Sequence, residues 1–121
     1  MIGIGIDAVD LDRFRRLLER RPHIVERLFS ETERSDMAGR ADPVPGLAAR
    51  FAAKEATWKA LGGGRGAVAF TDVEVVRSRG GAPVLRVTRS AEALADRRGV
   101  TAWHVSLTHT ASVAQAVVVA R

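Results

Sequence analysis

The sequence has no cysteine and no tyrosine, and its aromatic residues are limited to four phenylalanines and two tryptophans. Without cysteine, disulfides, thiolate metal ligands and thiol nucleophiles are all excluded. With so few aromatics, the stacking platforms expected of a single-strand nucleic-acid binder are scarce. No apolar run approaches the roughly 20 residues that span a bilayer. Residues 1–4 carry neither the basic start nor the long apolar stretch of a signal peptide. The expectation is a cytoplasmic protein that does not span a membrane.

What is present is ordinary globular composition with a strong positive bias. The 121 residues suit one domain, 1–121. The formal net charge of +5 favours an acidic partner, whether nucleic acid, anionic lipid or an acidic protein. Residues 2–7 alternate small and β-branched side chains and predict a first strand. From Asp10 the apolar residues Leu11, Phe14, Leu17 and Leu18 follow helical spacing, while Arg13, Arg16 and Arg20 share another face. Pro22 interrupts this element, and a second short amphipathic piece covers residues 24–29. Ser30 with Glu33 reads as a capping box, and residues 39–46 (GRADPVPG) read as a loop. The most regular helix is predicted over 47–61, stopped by Gly62, Gly63 and Gly64. Strands are predicted over 70–77 and 84–88 with a turn at Gly80-Gly81, then a short helix capped by Ser90, then strands over 102–108 and 113–119. This order predicts an α+β fold in which an antiparallel sheet packs against helices.

Four stretches carry candidate chemistry. Residues 3–8 (GIGIDA) fit the letters of a dinucleotide-binding fingerprint, but its glycines lie inside the strand, not in the turn that follows one. Asp7, at the end of that apolar strand, either caps a turn or serves as a ligand, and capping is the commoner use. On the central helix Glu55 and Lys59 stand at i and i+4, a solvated ion pair in the bland reading. Against it, Ala48, Ala52 and Ala56 make that side narrow enough for another group to approach closely. A carboxylate for a hard cation beside an ammonium for a phosphate suits phosphoryl transfer. The glycines of 62–66 either end the helix or turn backbone N–H groups toward phosphate oxygens. In residues 103–110 (WHVSLTHT), Ser106 and His109 fall on opposite faces of a strand, which argues against a Ser–His nucleophile pair. His109 at the strand end contacts a phosphate or satisfies a turn.

Taken in order, GIGIDAVDLDRF, ARFAAKEATWKALGGG, FTDVEVV and WHVSLTHT resemble the blocks of the holo-acyl-carrier-protein synthase family over nearly the whole chain. The FAAKEATWKALG block is the most specific of them. The resemblance implies transfer of 4′-phosphopantetheine from coenzyme A to a serine of an apo acyl carrier protein, releasing adenosine 3′,5′-bisphosphate. It implies Asp7 and Glu55 as Mg²⁺ ligands completed by the coenzyme A pyrophosphate and waters, and Lys59 as the cation beside that pyrophosphate. The serine proton would go to Glu55 or to a metal-associated water. Arg50 and His109 match contacts to the adenosine phosphate end of coenzyme A, and Gly62 and Gly64 belong to the loop beside the phosphates. Arg13 matches the residue that engages the carrier, and Arg16 and Arg20 extend its face.

A chain of this short type resembles those that form homotrimers with active sites between subunits. The sequence departs from the family at Ala8, where a larger aliphatic residue is usual, and at Gly63 and Arg65 in the loop, where Thr and Ile are common. Arg65 either adds a phosphate contact or changes the loop's shape. The resemblance implies no nucleic acid and no membrane among the partners, and two other readings have their own signatures. A nucleic-acid-binding module would lose affinity steeply with salt and would not need Asp7 or Glu55. A noncatalytic homologue would dock a carrier without turnover.

Overall fold

Where the first strand meets the central helix, both are built from small residues, and the architecture is organised around that contact. The computed structural model describes residues 1–63 and 69–121. Strand β1 (Gly3–Asp10) leads into α1 (Leu11–Arg20), α2 (Ile24–Leu28), α3 (Glu31–Ala38) and the long α4 (Val44–Ala60). A 3-10 turn (Phe70–Asp72) precedes the hairpin β2 (Val73–Arg77) and β3 (Pro83–Val87); α5 (Arg89–Arg97), β4 (Trp103–His109) and β5 (Val113–Ala120) follow. The described strands form an antiparallel sheet in the order β1-β5-β4 and a separate antiparallel pair, β2-β3. The expected α+β class with an antiparallel sheet against helices is what is found. Among the described residues no helix is long and apolar enough to cross a membrane.

The register puts Gly3, Gly5, Asp7 and Val9 of β1 level with Ala120, Val118, Ala116 and Ala114 of β5. Strand alternation turns that set to one side, and the β5 members are buried there with Ala52, Ala56 and Ala60 of α4. A Cβ on Gly5 would lie 1.9 Å from the Ala56 carbonyl oxygen, and one on Gly3 would lie 1.8 Å from that of Ala60. The narrow alanine side of α4 is therefore filled by a strand backbone. Five of the six aromatics form a second seam, Phe29–Phe14–Phe51–Phe70–Trp58, with ring centroids 4.5–6.4 Å apart. It ties α1 and α4 to the 3-10 turn.

Several expectations are corrected. Strand β1 runs on to Asp10, so Asp7 stands inside the strand; the capping role belongs to Asp10, whose Oδ2 accepts from the Arg13 N–H at 2.9 Å. The loop expected over 39–46 gives way to helix at Val44: Pro45 fits a first turn, and Asp42 Oδ1 accepts from the Val44 N–H at 3.1 Å. Residues 70–72 curl into the 3-10 turn before β2 begins. Ser90 lies inside α5, with Thr88 at the cap position; its N–H donates to the buried Asp72 carboxylate at 3.0 Å, and its hydroxyl contacts the same oxygen. The Ser30–Glu33 capping box is present as read.

Glu33 does more than cap. Its buried carboxylate accepts from the Lys54 ammonium at 2.6 Å, and both side chains are fully inaccessible to solvent. Burial pushes the Lys54 ammonium below the usual lysine range, with the Glu33 charge and hydrogen bond opposing that shift. Removing one partner of such a pair typically costs about 3–5 kcal/mol, because the other is left buried and unpaired.

The Gly5–Ala56 contact admits a direct check. Gly5→Ala should destabilise the fold by about 3 kcal/mol through overpacking against a backbone that cannot yield. For a chain of this length that lowers the thermal midpoint by about 10 °C. An unchanged midpoint would show that the two backbones can separate freely.

Candidate functional site

Helix α4 presents two stripes of chemistry, because residues four apart stack on one face while adjacent residues turn by about 100°. One stripe carries Glu55 and Lys59. Glu55 faces a cleft of about 460 Å³ that Asp7, Asp10, Arg13, Phe14, Arg20 and Phe51 also line. The structure thus brings together Asp7, Glu55, Arg13 and Arg20 from three separate elements. Lys59 donates to Asp7 Oδ1 at 3.1 Å and to the Ile6 carbonyl at 2.9 Å. Its side chain is half exposed, so this ion pair is worth about 0–1 kcal/mol and is readily exchanged for another anion.

Asp7 and Glu55 are a two-carboxylate, all-oxygen donor set. Among the described residues no group of three or more His, Asp or Glu side chains forms a cage. A carboxylate pair on one cleft suits a cation such as Mg²⁺, which typically takes one or two carboxylates together with waters and the phosphates of a substrate.

The other stripe carries Arg50. It lines a separate hollow of about 210 Å³ with Arg40, Val75, Arg77, Pro83 and His109. Arg50 is 2% exposed. Its Nη1 donates to the Gly46 carbonyl at 3.3 Å, and its Nε has no partner among the described residues. Burial is the main influence lowering its pKa; Glu33 opposes this, while Arg77 and Arg40 push the same way as burial. A desolvated guanidinium crowded by two more is a site prepared for a polyanion. Arg50 and His109 were expected to share a ligand from two distant motifs, and they line one pocket.

Some expectations fall elsewhere. Arg16 is exposed on α1 but is not among the residues lining the cleft. Gly62 ends α4 in the left-handed region at φ +64°, its N–H bonded to the Lys59 carbonyl and that of Gly63 to the Trp58 carbonyl. That pair of bonds is a Schellman stop. Gly64 and Arg65 lie outside the described residues. Sequence reasoning missed Arg40, which sits in a loop, and Arg77, which follows the FTDVEVV block on the hairpin but is not part of it. It also missed Arg21, His23 and Arg27, which with Arg20 line a further basic hollow beside the cleft; the density of cations after Arg20 was the available signal.

The family model of the 4′-phosphopantetheinyl transferase superfamily matches residues 3–119. A holo-[acyl-carrier-protein] synthase of Streptomyces avermitilis is 52% identical over 120 residues, spanning 99% of this chain and 97% of that protein. The holo-[acyl-carrier-protein] synthase of Neisseria meningitidis superposes with a TM-score of 0.91 at 32% identity, covering 100% of this chain and 98% of the other. The Bacillus anthracis holo-(acyl-carrier-protein) synthase, solved in complex with CoA (3′,5′-ADP), gives a TM-score of 0.82 at 34% identity and covers 98% and 95%.

A buried cation kept for a ligand should be dispensable to the fold. Arg50→Met is expected to leave the thermal midpoint unchanged or raised, while weakening adenosine 3′,5′-bisphosphate binding about 10- to 100-fold, the worth of a charged hydrogen bond. Equal affinities by calorimetry would remove the pocket from the site.

Proposed function

The chain belongs to the 4′-phosphopantetheinyl transferase superfamily as one of its holo-[acyl-carrier-protein] synthases, and on that premise we propose how its own residues carry out the transfer. The observation that carries the reading is the meeting of Asp7 and Glu55 on one cleft, with Lys59 at Asp7 and Arg13 and Arg20 at the rim. Coenzyme A is the co-substrate. Arg50 and His109 hold its adenosine phosphate end in the basic pocket, and the phosphate contact expected of Gly62 belongs to the same reading. Asp7 and Glu55 would hold Mg²⁺, which when bound would supply charge neutralisation at the phosphates of the substrate.

The carrier serine Oγ forms a bond to the β-phosphorus as the bond from that phosphorus to the bridging oxygen breaks. The bonding pair leaves with adenosine 3′,5′-bisphosphate. Glu55 is the chain's own acceptor for the serine proton. Lys59 exchanges its weak pairing with Asp7 for the pyrophosphate oxygens, where negative charge grows in the transition state. Arg13, Arg16 and Arg20 receive the acidic carrier, raising its association rate more than its final affinity. The whole 121-residue chain acts as one domain, in the cytoplasm.

Self-association into a homotrimer is part of the same proposal. Ile4 and Ile6 of the first strand, and Ile2 just before it, are 56%, 65% and 46% exposed, although that strand is paired with β5 over its full length. Ile4 and Ile6 stand level with Val119 and Val117 of β5, so β1 and β5 carry an apolar strip on the outer face of the sheet, bordered by His104 and Ser106 of β4. A strip of this kind on a small protein marks an interface.

The decisive measurement is the intact mass of an apo acyl carrier protein incubated with this protein, coenzyme A and Mg²⁺. A phosphopantetheine-sized gain is expected, with rates about 100-fold lower or worse for Asp7→Ala, Glu55→Ala and metal-free reactions. No gain with any of several apo carriers would overturn the catalytic reading. Sedimentation should give three-chain mass for the unaltered protein and a smaller species for Ile6→Glu. An active protein sedimenting as a single chain would overturn the trimer.

A further inference from the structure

The pair Lys54 and Glu33 lies outside both the cleft and the basic pocket, yet it joins the two walls of the pocket. Lys54 follows Arg50 by one helical turn, so Gly46, Arg50 and Lys54 form one stripe along α4. On the facing hairpin, Val73, Val75 and Arg77 alternate onto one side of β2, and Val75 and Arg77 line the pocket. The Lys54 ammonium donates to Glu33 Oε1 at 2.6 Å, to the Phe70 carbonyl at 3.0 Å, and to the Val73 carbonyl. Its three donors are thereby all used. Glu33 Oε2 accepts from the Val75 N–H at 3.0 Å, and Oε1 also accepts from the Ser30 N–H at 3.1 Å. The ion pair is therefore a rung between α4 and β2, one level behind Arg50 and Arg77.

Stability alone does not account for such a rung. A buried ion pair can often be replaced by apolar side chains of similar volume with no loss of stability. Apolar contacts, however, are non-directional and set no fixed distance between two backbones. Three directed bonds from one ammonium do. Arg50 and Arg77 repel each other, and Arg77 is among the charges that act on Arg50. Walls carrying two such cations separate unless something holds them.

We propose that Lys54 and Glu33 are positioning residues: their ion pair sets the separation of the α4 and β2 walls of the basic pocket, and so its grip on the phosphorylated end of coenzyme A. The proposal rests on the reading that Arg50 and His109 bind that end. Loss of the rung spreads the guanidinium groups while leaving Asp7 of β1, and Glu55 and Lys59 on the other stripe of α4, in place. The signature is a rise in the coenzyme A KM with little change in kcat or in the carrier KM. A general loosening of the fold would move all three.

The test compares unaltered protein, Arg50→Met, Lys54→Met/Glu33→Gln and Glu33→Gln, with thermal unfolding run on each. Adenosine 3′,5′-bisphosphate binding is measured by calorimetry, and both KM values and kcat by carrier-protein mass. The expected result for the double variant is about a tenfold or larger loss of affinity and rise in coenzyme A KM, with kcat within about threefold, the scale on which small misplacements act. A folded double variant with unaltered affinity overturns the positioning role while Arg50→Met still binds weakly. Arg50→Met binding as tightly as the unaltered protein overturns the pocket reading, and this proposal with it. If the double variant does not fold, Glu33→Gln alone and hydrogen exchange on the unaltered protein decide. Added ligand should then slow exchange at the Val75 amide at least tenfold more than at amides of α1. Equal slowing overturns the proposal.

Discussion

Everything in this molecule depends on how closely one strand backbone approaches one helix backbone. Gly3 and Gly5 leave no room for even a methyl group against the carbonyls of Ala60 and Ala56. That approach has two consequences at once. It seals the core with small residues, and it holds Asp7 within reach of Lys59 on a helix far away in sequence. The large side chains of β1, excluded from this seam, point outward and become the exposed isoleucines. The positioning of the carboxylate and the apolar outer face are two results of one steric constraint.

Helix α4 then separates opposite kinds of electrostatics by rotation alone. Arg50 and Lys54 lie on one stripe, both buried, one facing other cations and one neutralised by Glu33. Glu55 and Lys59 lie on the next, beside the aspartate of β1. A few residues of helix thus carry a basic pocket, a buried structural ion pair and an acidic cleft. Arg50, Lys54, Glu55 and Lys59 need no loop to bring them together, which keeps their relative placement as stiff as the helix itself.

Much of this was legible in the sequence, for physical reasons that differ by residue. The alanine stripe announced a close approach, because small residues along one side of a helix leave room for a neighbour; that the strand glycines were its counterpart was not read. The two α4 carboxylate and ammonium positions were readable from helical period. Asp7 was placed in the right element but at the wrong point in it, since strand length depends on β5, which the local pattern of β1 does not contain. Arg40 and Arg77 were invisible because a surface arginine and a pocket arginine look alike in sequence; only the fold brings them to Arg50. Lys54 was hidden by the opposite habit: lysine is so rarely buried that its period reads as solvent-facing. The chain direction at residues 44 and 70 was misjudged where side chains of Asp42 and Asp72 bond backbone or helix-start groups that a local reading cannot see.

The pairing of β1 with β5 also dictates the order in which the molecule can come into being. Gly3 is level with Ala120, and the Ile2 N–H bonds the Ala120 carbonyl at 2.7 Å. On the ribosome, the first strand made has no edge to join until residues 113–120 emerge. At about 5–20 residues per second that is a wait of roughly 5–20 s with an isoleucine-bearing strand unpaired. Asp7 reaches its final setting only once residues 113–120 have been made, so a nascent chain cannot begin to act before then.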